Sequence, residues 1–123
     1  LCLVHASLSL LVQFASLDME NKTKLACDLD ISDQLLHILK EYDEDSKKFA
    51  SKLICLLCIE EKIKSEVTSL DGIQVLLRLL HSETNMEIIW NVIWCLVQLS
   101  SFDDNKREIR LMGGIPLILS ILW

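Results

Sequence analysis

Residues that break helices are scarce in this chain of 123 amino acids. It contains one proline and three glycines, so most of its length can remain helical. Strand signals are also missing from the sequence, both the alternation of apolar and polar residues and the hairpin turns of the Asn-Gly kind. Hydrophobic residues make up 51% of the chain, which is ample material for a buried core. The sequence therefore predicts an all-α unit of about one domain.

Positive charge is also limited. The chain has 12 Lys and Arg residues against 18 Asp and Glu residues, a net charge of −6. Nucleic acids and anionic membranes attract proteins through basic patches, so we expect neither as a partner. The acidic excess predicts instead a neutral or basic protein partner, with an association that weakens modestly as salt is added.

No segment is long and apolar enough to span a bilayer. Residues 1–17 resemble the core of a signal peptide, but they lack an initiating Met and a basic start, and they match residues 86–102 in pattern. We interpret them as a helix of a repeat. The five cysteines are an odd number in apolar surroundings, which predicts reduced, buried thiols in an intracellular protein of the cytoplasm or nucleus.

Patterns for catalysis or metal binding are missing. Cys55 and Cys58 have CxxC spacing, but they lie in an apolar helical pattern with no second pair of ligands, whereas a structural zinc site needs four. The three histidines are dispersed, and no Gly-rich phosphate loop is present. We therefore expect no enzyme activity, no cofactor and no metal.

The chain repeats itself with a period of about 42 residues, a length typical of helical repeat arrays. The segment Leu-Val-Gln-Phe-Ala-Ser at 11–16 returns two periods later as Leu-Val-Gln-Leu-Ser-Ser at 96–101, and the segment 54–59 aligns with 94–99. Apolar segments at 35–39, 76–80 and 118–122 recur at nearly the same interval. Such a period indicates a stacked solenoid, a class of protein that usually binds other molecules.

Each period contains three helical patterns of increasing length. The longest run from about 45 to 60 and from 85 to 101, where apolar residues recur at three- and four-residue steps. Shorter apolar segments lie at about 32–41, 73–81 and 115–123, and very short ones at 21–29, 63–71 and 104–112. Asn85 or Thr84 is a suitable N-cap for the second long helix.

These features resemble the armadillo repeat. The resemblance rests on three helices in each period, a link reading Asp-Gly-Ile at 71–73 and Gly-Gly-Ile-Pro at 113–116, and Trp94, Leu96 and Leu99 in the third helix. The copy at 21–60 departs from the pattern, with Leu-Asp-Ile at 29–31 in place of the glycine link. A HEAT-like array, with two helices per unit and no glycine link, is the structural alternative.

The resemblance implies a right-handed α-solenoid divided into four parts. Residues 1–17 would be the third helix of a truncated repeat, 18–60 and 61–102 two repeats, and 103–123 the first two helices of another. We expect the chain to be a fragment of a longer array and to self-associate through apolar surface at its uncapped ends.

Armadillo proteins hold an extended peptide in a groove lined by their third helices. Importin-like members repeat a Trp and, one turn later, an Asn along that groove; the matching pair here is Trp94 and Gln98. The other repeats have Ser9 and Gln13, then Ile54 and Cys58, so a receptor for nuclear-localisation signals is not expected. The candidate partner-binding residues are Gln13, Ser51, Glu87, Asn91, Trp94 and Gln98.

Two points about these residues stay open at the level of sequence. The glutamines either bond a peptide backbone or only face solvent. Trp90 lies one turn from Trp94, and we expect it in the core, with Trp94 as the better contact residue. The predicted function is a protein–protein interaction scaffold that binds a peptide or partner protein; the alternative is a structural spacer that positions other modules of a longer parent protein.

Overall fold

The computed structural model describes residues 2–17 and 31–122, and within these ranges every regular element is a helix and no strand is present. The prediction of an all-α fold is confirmed. The very short helix expected at 21–29 lies outside the described residues. The eight helices of the described ranges are α1 (Cys2–Leu17), α2 (Ser32–Glu41), α3 (Glu44–Leu57), α4 (Glu61–Ser69), α5 (Gly72–Ser82), α6 (Met86–Leu99), α7 (Asp103–Leu111) and α8 (Gly114–Leu122).

Side-chain caps fix the start of the two long helices α3 and α6. The Asp43 carboxylate accepts a hydrogen bond from the Ser46 hydroxyl at 2.7 Å and from its backbone N–H at 3.4 Å. The Asn85 side-chain oxygen accepts from the backbone N–H groups of Glu87, at 2.9 Å, and Ile88, at 3.3 Å. Both caps satisfy N–H groups that have no partner within the helix. One period separates Asp43 from Asn85, so the two helices begin at equivalent points.

The three longest helices lie side by side, α1 against α3 and α3 against α6. Their buried positions repeat once per period, because each helix buries the same stripe against its neighbour. The members of this stripe are Leu8, Ala50 and Val92; Val12, Ile54 and Leu96; and Ala15, Leu57 and Leu99.

The shorter helices α2 and α5 form a second set, whose buried leucines repeat at an interval one position shorter: Leu35 and Leu76, Leu36 and Leu77, Leu39 and Leu80. The difference of one position arises in the links between helices. Two residues, 42–43, join α2 to α3, whereas three residues, 83–85, join α5 to α6. The buried side chains of both sets form one continuous apolar core.

Two buried polar side chains, Ser32 and Asn105, join helices through hydrogen bonds. The Ser32 hydroxyl in α2 donates to the Glu66 carboxylate in α4 at 2.6 Å. The fully buried Asn105 in α7 donates through its Nδ2 to the carbonyl oxygen of Leu99 at 2.9 Å and to the Thr68 hydroxyl at 3.0 Å. Asn105 thereby connects α7 to the end of α6 and to α4.

A left-handed residue and a glycine mark the entries into α5 and α8. Asp71 and Gly113, which are one period apart, both have positive φ angles, of 58° and 77°. Each lies one residue before the helix start, and such a conformation suits Gly best and Asp acceptably.

The glycine that follows permits a close approach of two helices. A Cβ atom on Gly72 would overlap the Val67 side chain and lie 2.6 Å from the Val67 carbonyl oxygen. At the equivalent Gly114, a Cβ atom would lie 2.8 Å from the Ile109 carbonyl oxygen. The glycine link seen in the sequence therefore has a steric cause, since α4 and α5, and likewise α7 and α8, meet at distances that exclude a side chain.

Large apolar side chains remain exposed on the last two helices and in the link between them. They are Leu111, Met112, Ile115 and Leu119. None of the helices in the described part of the chain combines the length and apolar character needed to cross a membrane. Exposed apolar surface of this kind favours association.

We predict that replacing Gly72 by Ala lowers the free energy of unfolding by about 2–3 kcal/mol, because the added methyl group must displace the Val67 backbone. Chemical denaturation measures the change. Gly113→Ala is the matched control: its Cβ would meet no atom within 4 Å, so only the left-handed backbone is penalised, by about 1 kcal/mol. An unchanged denaturation midpoint for Gly72→Ala would show that the close approach is not needed.

We predict that the chain self-associates through α7 and α8. Light scattering should show a mass above that of the monomer, and the double substitution Ile115→Lys with Leu119→Lys should return the chain to a monomer, because it places charge on the exposed apolar surface. A monodisperse wild-type monomer over a wide concentration range would contradict this prediction.

Candidate functional site

The outward side of α3 and α6 carries the most conspicuous group of exposed and half-buried side chains. Because the buried stripe fixes how each helix is rotated, the opposite side must face solvent. Lys48, Lys52, Trp90, Asn91 and Trp94 lie on this side, and we refer to them as the tryptophan face. The neighbouring apolar residues Met86 and Val97 of α6 are also exposed.

Trp90 and Trp94 form an edge-to-face pair at the centre of this face. Their ring centroids are 6.0 Å apart and the ring planes are inclined by 65°, a favoured arrangement for aromatic side chains. Trp90 is 64% exposed and Trp94 is 43% exposed. The expectation that Trp90 belongs to the core is therefore wrong. Trp90 lies midway between Ile88 and Val92, which are fully buried, so the helix turns it to the opposite side.

An open depression of about 540 Å³ lies on the surface between α3 and α6, beside the Trp90 ring. Its lining combines apolar, cationic and amide groups: Lys48, Phe49, Lys52, Met86, Glu87, Trp90 and Asn91. This mixture, apolar surface with a few polar groups, is typical of binding sites.

The amide of Asn91 is held in place by a buried serine. Its Nδ2 donates to the Ser51 hydroxyl oxygen at 3.2 Å, and that hydroxyl donates to the carbonyl oxygen of Lys48 at 2.9 Å. Ser51 is fully buried, so it positions Asn91 and has no surface to offer a partner. Asn91 retains its side-chain carbonyl oxygen and one amide hydrogen for an incoming group.

The lysines on this face differ in their pairing. Lys48 lies 3.7 Å from the Glu87 carboxylate and 5.5 Å from the centre of the Phe49 ring. Both members of the ion pair are exposed enough for solvent to weaken it. Lys52 is exposed and makes no ion pair with the described residues.

The structure brings only some of the predicted site residues together. Glu87, Asn91 and Trp94 lie on the outward side of α6, and Gln98 is half-buried at its end. Gln13 is exposed on α1, which packs on α3, whereas the other members lie on or against α6.

The sequence alignment of the third helices was wrong by two positions. It placed Ile54 and Cys58 at the positions of Trp94 and Gln98, but both are fully buried. The buried stripe repeats every 42 residues, as from Ala50 to Val92. At that interval Lys52 is equivalent to Trp94, and Lys48 is equivalent to Trp90. Both lysines were missed as site residues, and the signal that would have found them is the period of the stripe itself.

Comparison with known proteins finds a short likeness to a kinase. No protein-family model matches the chain. A segment of 48 residues is 44% identical to part of the human serine/threonine-protein kinase Nek10. The match covers 39% of this chain and 4% of the kinase. Because the matched segment is shorter than most domains, this likeness shows neither a family nor an activity.

Three thiols meet behind the face, in the core. Burial raises the pKa of the Cys95 thiol well above its usual range, and interactions with the thiols of Cys55 and Cys58 raise it further. Among the described residues, no group of three or more His, Cys, Asp or Glu side chains is placed to hold a metal ion. A thiol that keeps its proton is a weak nucleophile and a poor metal ligand.

We predict that Cys95 makes the chain less stable in alkaline solution. Its pKa is higher in the folded than in the unfolded chain, so the unfolded chain loses the proton first and stability falls as pH rises through the ordinary thiol pKa. Denaturation midpoints should therefore decrease from about pH 8 to about pH 10. Cys95→Ala is the control and should show a shallower decrease; an identical slope would contradict the assignment.

Proposed function

We propose that this chain is an armadillo-type α-solenoid segment that serves as a scaffold for protein–protein interaction. Three features support the solenoid: long helices that stack side by side, a buried stripe that recurs once per period, and a repeated link of a left-handed residue followed by a glycine. Each stacked unit buries its apolar side on the next, as repeat architectures require.

The observation that carries the proposed function is the exposed pair of Trp90 and Trp94 beside an open depression. Tryptophan side chains offer a large, stiff contact area, and they are enriched among the residues that contribute most to binding. Exposing two of them in one place is unfavourable in water unless a partner covers them. We therefore assign the tryptophan face as the contact surface.

The positioned amide of Asn91 supports an extended peptide as the occupant. A peptide backbone presents one N–H and one C=O group at each residue, and a side-chain amide can bond both kinds of group. The bond to Ser51 holds Asn91 in one orientation, which reduces the entropy lost on binding.

One observation favours the alternative of a structural spacer for other modules of a longer protein. The residues one and two periods before Asn91 are Phe49 and Ser7, so the amide is not repeated along the stack. A long groove for one peptide would require such a repeat. The kinase that shares a short segment with this chain is one setting in which a spacer would act. We favour the binding function, because a partner that contacts one junction of helices requires the contact residues only at that junction.

We predict that Trp94→Ala weakens binding of a partner peptide by about 30-fold or more, since removal of an aromatic anchor costs about 2 kcal/mol. Peptides selected from a displayed random library against the wild-type chain provide the ligands, and fluorescence anisotropy provides the affinities. Trp90→Ala should have a similar effect.

The control for this experiment is Leu111→Ala, which removes an exposed apolar side chain from α7, away from the tryptophan face. Its affinity for the selected peptides should equal that of the wild type. If no peptide is selected, or if every selected peptide binds Trp94→Ala as tightly as the wild type, the spacer is the better description.

A further inference from the structure

We infer that the segment bound by the tryptophan face carries a carboxylate next to an apolar side chain. This inference rests on the proposed function and specifies the chemistry of the partner. It follows from the pairing of the lysines, the position of the nearby carboxylates and the apolar lining of the depression.

The depression between α3 and α6 contains a positive charge without a counter-ion among the described residues. Lys48 and Lys52 both line it; they are one helical turn apart, about 6 Å along the axis. The ammonium group of Lys52 forms no ion pair with the described residues, and the pair between Lys48 and Glu87 is weakened by solvent. A carboxylate placed between the two lysines would gain from both.

The carboxylates around the depression are already engaged or lie farther away. Glu83 pairs with Lys47 at 3.4 Å, and Glu44 accepts a hydrogen bond from the Asn85 amide at 2.7 Å. Asp45 lies in the first turn of α3; it is about one turn from Lys48 and acts on that lysine, but it is about 10 Å along the axis from Lys52. At physiological salt this separation exceeds the distance of about 8 Å over which charges are screened.

The local charge is thus opposite in sign to the net charge of −6. Net charge acts at long range and is reduced by salt, whereas a contact is decided by the groups that face it. The expectation of a basic partner, which followed from composition, therefore does not extend to the residue that enters this depression.

The apolar side chain expected in the bound segment would contact the other side of the same depression. Met86 and Trp90 line it and are 71% and 64% exposed. Trp94 continues the apolar surface through its contact with Trp90. A carboxylate alone would leave these side chains in water, and an apolar side chain alone would leave Lys52 unpaired. A segment that combines both satisfies the whole site.

Three synthetic peptides test the inference by fluorescence anisotropy at physiological salt, where the long-range effect of the net charge is reduced. One alternates glutamate with leucine, and the other two have glutamine or lysine in place of every glutamate. The glutamate peptide should bind the wild-type chain about tenfold more tightly than the glutamine peptide, and the lysine peptide should bind least. Lys52→Gln should remove most of the advantage of the glutamate peptide and leave the glutamine peptide unchanged.

Two controls separate this inference from the proposed function. Lys106→Gln removes an exposed lysine on α7 that pairs with Asp103 at 3.5 Å, and it should not change any of the affinities. Trp94→Ala should weaken both the glutamate and the glutamine peptides.

Three other outcomes would overturn the inference. Tighter binding of the lysine peptide, lost in Trp94→Ala, would overturn the inference and leave the proposed function intact. Equal or absent binding of the three peptides would also overturn the inference. Binding of the glutamate peptide that is unaffected by Trp94→Ala would reject the tryptophan face as the contact surface, and the inference with it.

Discussion

Burial of one stripe of every long helix against the next is the constraint on which the rest of this structure depends. Leu8, Ala50 and Val92 occupy the same place in α1, α3 and α6, and the other members of the stripe follow at the same interval. Apolar burial is the main favourable term in folding, so the stripe determines how each helix is rotated about its axis. The side of the helix that is buried therefore determines which side faces solvent. Trp90 and Trp94 face solvent because their neighbours Ile88, Val92 and Leu96 cannot.

The glycine links and the caps make that rotation repeatable along the chain. Gly72 lets α5 approach the Val67 backbone more closely than any side chain would permit. Asp43 and Asn85 then set the first residue of the long helix that follows. A change of one residue in a link would turn the next helix by about 100°. The link between α5 and α6 has one residue more than the link between α2 and α3. This residue compensates for the shorter interval between α2 and α5, so that α6 still begins one full period after α3.

The sequence was sufficient to predict the helices, but it was insufficient to predict which side of each helix is exposed. Helical periodicity and the Asn85 cap are local signals; the helix class agrees with the structure, and Asn85 is the N-cap of α6. The alignment of 54–59 with 94–99 followed shared letters, Cys55-Leu56 and Cys95-Leu96, and fell two positions short of the interval at which burial repeats. Two positions correspond to about 200° around a helix, so that alignment exchanged the buried side for the exposed one. Trp90 was misplaced for a related reason, because an apolar residue in an apolar helix carries no mark of the side on which it lies.

Equivalent positions of the three long helices differ in how strongly the fold constrains the residue they hold. Members of the buried stripe remain apolar: Val12, Ile54 and Leu96 are all aliphatic, since burying a polar group without a hydrogen-bond partner is unfavourable. Exposed equivalents differ completely, since Trp94 corresponds to Lys52 in α3 and to Leu10 in α1. The stack requires nothing of these positions, so their identities are free to serve a partner. Among the long helices that the structure describes, a lysine beside a tryptophan is found at the junction of α3 and α6. Under the proposed function, the chain would carry a specific site at one junction of helices while the buried stripe stays apolar in all three long helices.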